Sequence, residues 1–371
     1  MSIAADNKRP TRLRVMHVIV AGDIGGAERL LVDLATRPER TRADHEVALI
    51  TPNRALATHL AGSGLRVHDR GPARENPFSY LYRTLGPADT MWLARLLVQQ
   101  RIDVVHTHTF GSHVLGTRAA RRTGRPQLRT EHHVMHYSDL SCAPFTRWAA
   151  ARTERFVAVS DYVLRVLCKT APAVAARTTV VRNGVDTAHW RPRPGSEHGF
   201  RMAVVCRLTA WKRVHLAVEA AAIARAELLV IGDGEERSRL EALARRAGAE
   251  VRFVGHQRDP RPFIADCDAV LSTADNEPLG LSVLEALSME RPVIAYAGGG
   301  IPEIIQNDVT GVLVSEPTAK AFAVAIARVR EDRVRRGRMG VRGRQFAVEH
   351  CSIEQMCDGY AAVYESMFGT S

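Results

Sequence analysis

The stretch "WRPRPGSEHG" at residues 190–199 breaks the pattern of the chain, and "FRMAVVCRL" at 200–208 restarts it. Proline and glycine concentrated over ten residues read as a connection between folded units. Before the break, short apolar runs alternate with amphipathic stretches: "LRVMHVIVA" with "GAERLLVDLATR", "HEVALITP" with "RALATHLAGSG", "DVVHTH" with "GSHVLGTRAARRTG", "RFVAVS" with "DYVLRVLCK". After it the alternation resumes, from "ELLVIGDG" with "ERSRLEALARRAG" to "GVLV" with "TAKAFAVAIARVRED". Strand-then-helix repetition is the pattern of parallel sheets covered by helices. The expected fold class is therefore α/β, with two Rossmann-like domains facing a central cleft. The expected boundaries are 1–190, a linker at 191–199, 200–352, and a closing helical segment at 353–371.

Bulk properties agree with a two-domain globular protein. The chain has 371 residues, 46% hydrophobic and 25% charged, and no apolar run of membrane-spanning length. The N-terminus passes from a polar start directly into a strand-like run, unlike a secretion signal, so a cytoplasmic location is expected. Six cysteines without a CxxC spacing point to reduced thiols. The net charge is +11, yet only four of the 51 basic residues are lysine. A positive balance favours anionic partners, namely nucleotide phosphates or the inner face of an anionic membrane touched peripherally. The charges are dispersed without interleaved aromatics, so no nucleic-acid partner is expected. Nothing in the sequence addresses oligomeric state.

In such folds ligands sit beyond the carboxyl ends of strands, which directs attention to three segments. "GDIGGAER" places Gly25 and Gly26 where the first strand turns into a helix. Alone it is a tight turn, and G-x-G-x-x-G is absent. "RLTAWKR" places Arg207 and Lys212 after the strand at 201–206. A guanidinium fork and a point charge suit a diphosphate, although a solvated basic loop fits that segment equally well. Arg213 is expected to face away. "DNEPLGLSVLEALSME" (275–290) places Glu277 and Glu285 around a Pro278–Gly280 turn and a helix start. Amides near Gly280, Leu281 and Ser282 would hold an anion. Carboxylates beside phosphate would repel it, so their use is to accept hydrogen bonds from vicinal diols. A nucleotide sugar carries diols on both sides of its diphosphate.

The ordered set "GGAE", "RNGVD" (182–186), "CRLTAWK", "IGDGEE", "VGH", the Glu-x7-Glu of "EPLGLSVLE" and "GGGIPEII" resembles glycosyltransferase family 4, retaining enzymes of the GT-B fold. The resemblance covers nearly the whole chain. It implies that Glu277 contacts the donor sugar, that Glu285 holds the ribose diol, and that Arg207 and Lys212 bind the diphosphate with the amides of Gly280, Leu281 and Ser282. It implies that Gly25 and Gly26 approach the diphosphate from the first domain and that the "VGHQ" loop lies near the base. It also implies that the helix at about 353–368 crosses back to the first domain, and that His132, or else His133, lies near the reactive carbon. His108 is assigned weakly to the acceptor side. His106, His113 and His136 read as surface or supporting residues.

Dense histidine at "HTHTFGSH" and "TEHHVMHY" lacks the carboxylate arrangement of a zinc site. "DCD" (266–268) imitates a D-x-D metal motif but precedes its strand, the wrong end for a site; Asp266 reads as a helix-end residue. No metal and no cofactor are expected, the nucleotide sugar being a substrate. The amphipathic "MWLARLLVQQ" (91–100) reads as core packing. The expected reaction moves a hexosyl or N-acetylhexosaminyl group from a nucleotide sugar, UDP-linked first, to an acceptor hydroxyl with retention. The rival readings are a nucleotide-sugar 2-epimerase and a non-catalytic nucleotide-sugar-binding protein. A glycoside hydrolase would have no need of the Arg207–Lys212 pair.

Overall fold

The computed structural model describes residues 12–20, 26–50, 54–71, 82–195 and 199–368, and the chain divides into two units. The first contains seven strands: β1 Leu13–Ile19, β2 Ala43–Leu49, β3 Arg66–Asp69, β4 Val104–Thr107, β5 Gln127–Glu131, β6 Arg155–Ala158 and β7 Thr178–Val180. They form one parallel sheet in the order β3-β2-β1-β4-β5-β6-β7. The second contains β8 Arg201–Val205, β9 Glu227–Ile231, β10 Val251–Gly255, β11 Ala269–Ser272, β12 Val293–Tyr296 and β13 Gly311–Val314. Their order is β10-β9-β8-β11-β12-β13, again parallel. Each unit is Rossmann-like. Among the described residues no helix is long and apolar enough to cross a membrane.

In the second unit the strands are short apolar runs because helices cover both faces. Leu228, Leu271, Ile294 and Phe322 are buried on one side. Leu229, Val270, Leu284 and Val293 are buried on the other. Burying one such side chain stabilises by about 1.5–3 kcal/mol. In the first unit the Pro87–Gln99 helix buries Leu93, Leu96 and Leu97 and leaves Met91 and Val98 exposed. "MWLARLLVQQ" is thus largely a packing face.

Two boundaries differ from expectation. The chain leaves the first unit at Val181 and enters the second at Arg182. The proline-rich stretch is no free linker, because its carbonyls have distant donors. Ser288 Oγ donates to the Trp190 carbonyl at 2.6 Å, and Arg291 Nη2 donates to the Arg193 carbonyl at 3.3 Å. The returning segment is paired as well: Val185 N donates to the Cys351 carbonyl at 2.9 Å, and Ile353 N to the Val185 carbonyl at 3.1 Å. The last helix runs Ile353–Ser366, and its residues from Cys357 onward belong to the first unit.

That helix covers a sheet face of unusual chemistry. Parallel register sets His17 opposite His106 and Val47, and His106 opposite Leu128. Side chains alternate along strands, so His17, His45, His106 and Thr130 share one face. All four are buried. His106 Nδ1 lies 2.8 Å from the Tyr364 hydroxyl and Nε2 lies 2.8 Å from Thr130 Oγ1. Thr130 Oγ1 in turn lies 2.9 Å from the Tyr360 hydroxyl. Buried polar groups must be paired, and here the pairing itself docks the helix. His113 and His136, expected as surface or supporting residues, are also buried; His113 Nε2 pairs with Thr153 Oγ1 at 2.9 Å.

Burial holds His17, His106, His108 and His113 well below the ordinary imidazole value, and neighbouring imidazoles or Arg129 add to it. His45 falls to about 3 for the same first reason. An imidazole with a depressed folded value binds its proton only on unfolding. Stability is therefore complete above about pH 6.5 and declines as pH falls, by about 1.4 kcal/mol per pH unit for each such ring. Melting of the full chain should be flat from pH 8.5 to 7 and should drop steeply between pH 6.5 and 5. An unchanged melting temperature at pH 5.5 would contradict this account of the histidine face.

Candidate functional site

In each sheet the strand order reverses beside its first strand, between β1 and β4 and between β8 and β11. Successive connections there leave to opposite sides, and a crevice opens at the carboxyl ends. In the second unit, Arg207 follows β8 and is exposed; Lys212 ends the short Ala210–Lys212 turn beyond it. Glu277 follows β11. Lys212 Nζ donates to Glu277 Oε2 at 2.6 Å, with only 16% and 14% of these side chains exposed. The Lys212 ammonium also lies 4.0 Å from the centre of the Trp211 ring. Lys212, expected beside Arg207 for phosphate, is thus also paired with Glu277. Arg213, expected to face away, forms an ion pair with Asp275 of the same loop.

Further contacts fix that loop. Thr273 Oγ1 donates to the Lys212 carbonyl at 2.9 Å, and Asp275 N to the Trp211 carbonyl at 3.1 Å. Behind Glu277 runs the "GGGIPE" segment, where Gly300 N donates to the Glu277 carbonyl at 2.8 Å. A Cβ at Gly299 would lie 2.2 Å from that carbonyl oxygen, so only glycine permits the approach. Gly280 precedes the Leu281–Ser288 helix with φ of 97°, and a Cβ there would meet Ile301 Cδ1 at 2.8 Å. The amides of Leu281 and Ser282, in the first turn, have no intrahelical acceptor by helix geometry. Glu285 is in the same helix and is 5% exposed. Lys212, Glu277 and the helix start thus stand at one switch point. The "VGHQ" segment spans the end of β10, the edge strand of this sheet, and the loop after it.

In the first unit, Gly26 opens the Gly26–Ala35 helix after β1 and is exposed; Gly25 lies outside the described residues. His108 follows β4 and is buried. His132 follows β5, partly exposed, and its value is lowered to about 3, first by desolvation and then by Arg129. His132 Nε2 lies 3.5 Å from His108 Nδ1, so the structure brings these two together. His133 is exposed and packs edge-on against His136. Glu131 of the same run is fully buried, paired with Arg129 at 3.1 Å and accepting from Tyr137 at 2.8 Å. His17 and His45 carry no site signal in the sequence, because they lie inside the apolar strand runs "LRVMHVIVA" and "HEVALITP".

Three imidazoles, His17, His106 and His108, each offer a nitrogen within 4.8 Å of the others. Both nitrogens of His17 and of His106 are already hydrogen-bonded, so a cation would have to displace those bonds. In "DCD", Asp266 caps the end of the Arg261–Ala265 helix. Asp268 accepts from Arg201 N at 3.0 Å and Arg336 Nη2 at 2.9 Å, tying the start of β8 to a helix.

Comparison with known proteins agrees with this architecture. The Glycosyltransferase Family 4 profile matches residues 24–189, and the "Glycosyl transferases group 1" profile matches residues 187–346. The lipopolysaccharide core biosynthesis glycosyltransferase LpsE of Rhizobium meliloti is 34% identical over 163 residues, 43% of this chain and 48% of that protein, about half its length. The D-inositol 3-phosphate glycosyltransferase of Kribbella flavida is 28% identical over 381 residues, 89% of this chain and 87% of that protein. The crystal structure of Anabaena HepE in complex with UDP and glucose superposes with a TM-score of 0.84 at 23% identity, covering 96% of this chain and 100% of that one. With one profile over each half and the paired Rossmann-like units of the GT-B fold, the chain belongs to glycosyltransferase family 4.

Proposed function

We propose that this chain is a retaining hexosyl- or N-acetylhexosaminyltransferase that takes its sugar from a nucleoside diphosphate, UDP first, and passes it to an acceptor hydroxyl. The observation carrying this reading is the Lys212–Glu277 pair beside a helix start at the β8/β11 switch point. The pair sets a carboxylate for sugar hydroxyls next to an ammonium and free amides for phosphate. The UDP and glucose held by Anabaena HepE support the donor class. In the step, the acceptor oxygen bonds the anomeric carbon on the face that the phosphate oxygen leaves, and the acceptor's proton passes to that oxygen. Lys212, Arg207 and the amides of Leu281 and Ser282 stabilise the departing charge. Glu277, steadied by Lys212, orients the sugar, and Glu285 takes the ribose diol. These cations fill the part a metal would play, so we propose turnover without one. Free nucleotide should appear only with acceptor present, which separates transfer from epimerisation and from binding alone.

We place the reaction in the cytoplasm, consistent with six free thiols, with peripheral contact to an anionic membrane. Met135, Leu140, Phe145 and Trp148 are exposed near Arg147 and Arg152, a combination suited to an anionic interface. Co-sedimentation with vesicles rich in anionic lipid should fall on Leu140→Asp; equal binding by the variant would remove this surface from the proposal.

A thermal-shift panel of UDP-, GDP-, ADP- and TDP-sugars should show stabilisation by one base class, unaltered by EDTA. Loss of the shift or of turnover in EDTA would overturn the metal-free reading. Glu285→Gln should mainly weaken nucleotide binding, by about tenfold, a charge-assisted hydrogen bond being worth roughly 1.5–3 kcal/mol. Glu277→Gln and Lys212→Ala should mainly slow transfer, by at least as much. Equal losses confined to affinity in Glu285→Gln and Glu277→Gln would undo that division of labour.

A further inference from the structure

Among the described residues of the first unit, hydrogen bonds join a line of side chains from Thr41 to His132, of which Thr41, His45 and His17 have no part in the proposed reaction. Thr41 Oγ1, at the end of the short Pro38–Thr41 helix, lies 2.7 Å from His45 Nε2. His45 Nδ1 lies 2.9 Å from His17 Nε2. His17 Nδ1 lies 2.9 Å from His108 Nε2. His108 Nδ1 lies 3.5 Å from His132 Nε2, the longest link and the one nearest solvent. The line crosses β2 and β1 and ends beyond β4 and β5. His106 stands against it, 4.8 Å from His17 and 4.2 Å from His108 between ring centres. It does not branch the line, because its nitrogens are taken by Tyr364 and Thr130.

A neutral imidazole has one N–H and one bare nitrogen. Burial keeps these rings neutral, holding His17 and His108 well below the ordinary value and His45 and His132 at about 3. When rings are linked through both nitrogens, every link must point the same way, and the direction is set at the end where a hydroxyl proton must choose. The Arg37 carbonyl, 3.2 Å from Thr41 Oγ1, already accepts the amides of Arg40 and Thr41 at 3.1 Å each. The Ala43 carbonyl is 3.5 Å away. The Thr41 proton therefore goes to His45 Nε2. His45, His17 and His108 then each donate from Nδ1, and His132 accepts at Nε2.

We propose that Thr41, His45, His17 and His108 form a tautomer line that fixes His132 as the Nδ1–H form, so that it presents a hydrogen-bond donor to an oxygen of a ligand bound at the carboxyl ends of this sheet. The donor's placement rests on the reading of His132 given above; the tautomer does not. Thr41, His45 and His17 are positioning residues, acting at a distance through two or more rings. No net charge moves, and reversing the first bond reverses them all.

The test is long-range proton–nitrogen NMR on the full chain labelled with 15N-histidine at pH 7.5, with His132 assigned by the signal missing from His132→Gln. The expected wild-type result is the Nδ1–H form at His45, His17, His108 and His132. An Nε2–H form at His132 overturns the proposal, and His132→Gln, at a partly exposed position, serves only for the assignment. Thr41→Val should move His132 toward the Nε2–H form, and Thr41→Ser should keep the wild-type spectrum; a Thr41→Val spectrum like wild type also overturns it. Once a donor and acceptor are known, Thr41→Val should lower kcat roughly fivefold, the weight of one hydrogen bond, with the donor KM unchanged. A shifted tautomer with unchanged kcat overturns the contact of His132 with a reacting ligand while leaving the tautomer line standing.

Discussion

A parallel sheet cannot be closed by tight turns: every connection must cross a face, and all strands end on the same side. This constraint organises both units. Because the crossovers leave β1 and β8 first to one side and then to the other, each sheet has one place where loops diverge instead of packing together. The chain puts its short polar loops there, "RLTAWKR" and "DNEPLG" in one unit and the ends of β4 and β5 in the other. Chemistry gathers where covering is topologically impossible.

At the second switch point the loops are held by opposite charge. Lys212 and Arg213 from one loop meet Glu277 and Asp275 from the next, and two glycines let a third backbone close in behind. Such half-buried pairs contribute little to stability once the loss of water is counted. Their effect is geometric: a carboxylate that would rotate freely on a loop is held within a narrow range. If that ammonium also meets a phosphate, as proposed above, ligand binding would redistribute an interaction already formed.

The alternation of strands and helices was legible because apolar period and turn residues are local properties. So was the placement of Arg207, Lys212, Glu277 and Gly280 beyond the carboxyl ends of β8 and β11, since each lies in the segment that follows a strand. The packing of the proline-rich stretch was not. Its composition suggested a loose connection, but its carbonyls are met by Ser288, Arg291 and Arg344, about a hundred or more positions away, and no local signal announces such partners. The histidine face was hidden for a related reason. His17 and His45 sit in strands whose other residues are apolar, and Tyr360 and Tyr364 lie in a helix more than 200 positions from His106. Only the register of four strands, together with a helix from the far end of the chain, shows them to be one assembly.

The docking of Tyr360 and Tyr364 on that face has a consequence for how the protein is made. Synthesis runs from the N-terminus and domains generally fold as they emerge, yet the first unit is completed by residues from Cys357 onward. Until Tyr360 and Tyr364 have left the ribosome, His106 and Thr130 lack their hydroxyl partners. The unit that emerges first therefore waits for the second to be synthesised before its histidine face is covered.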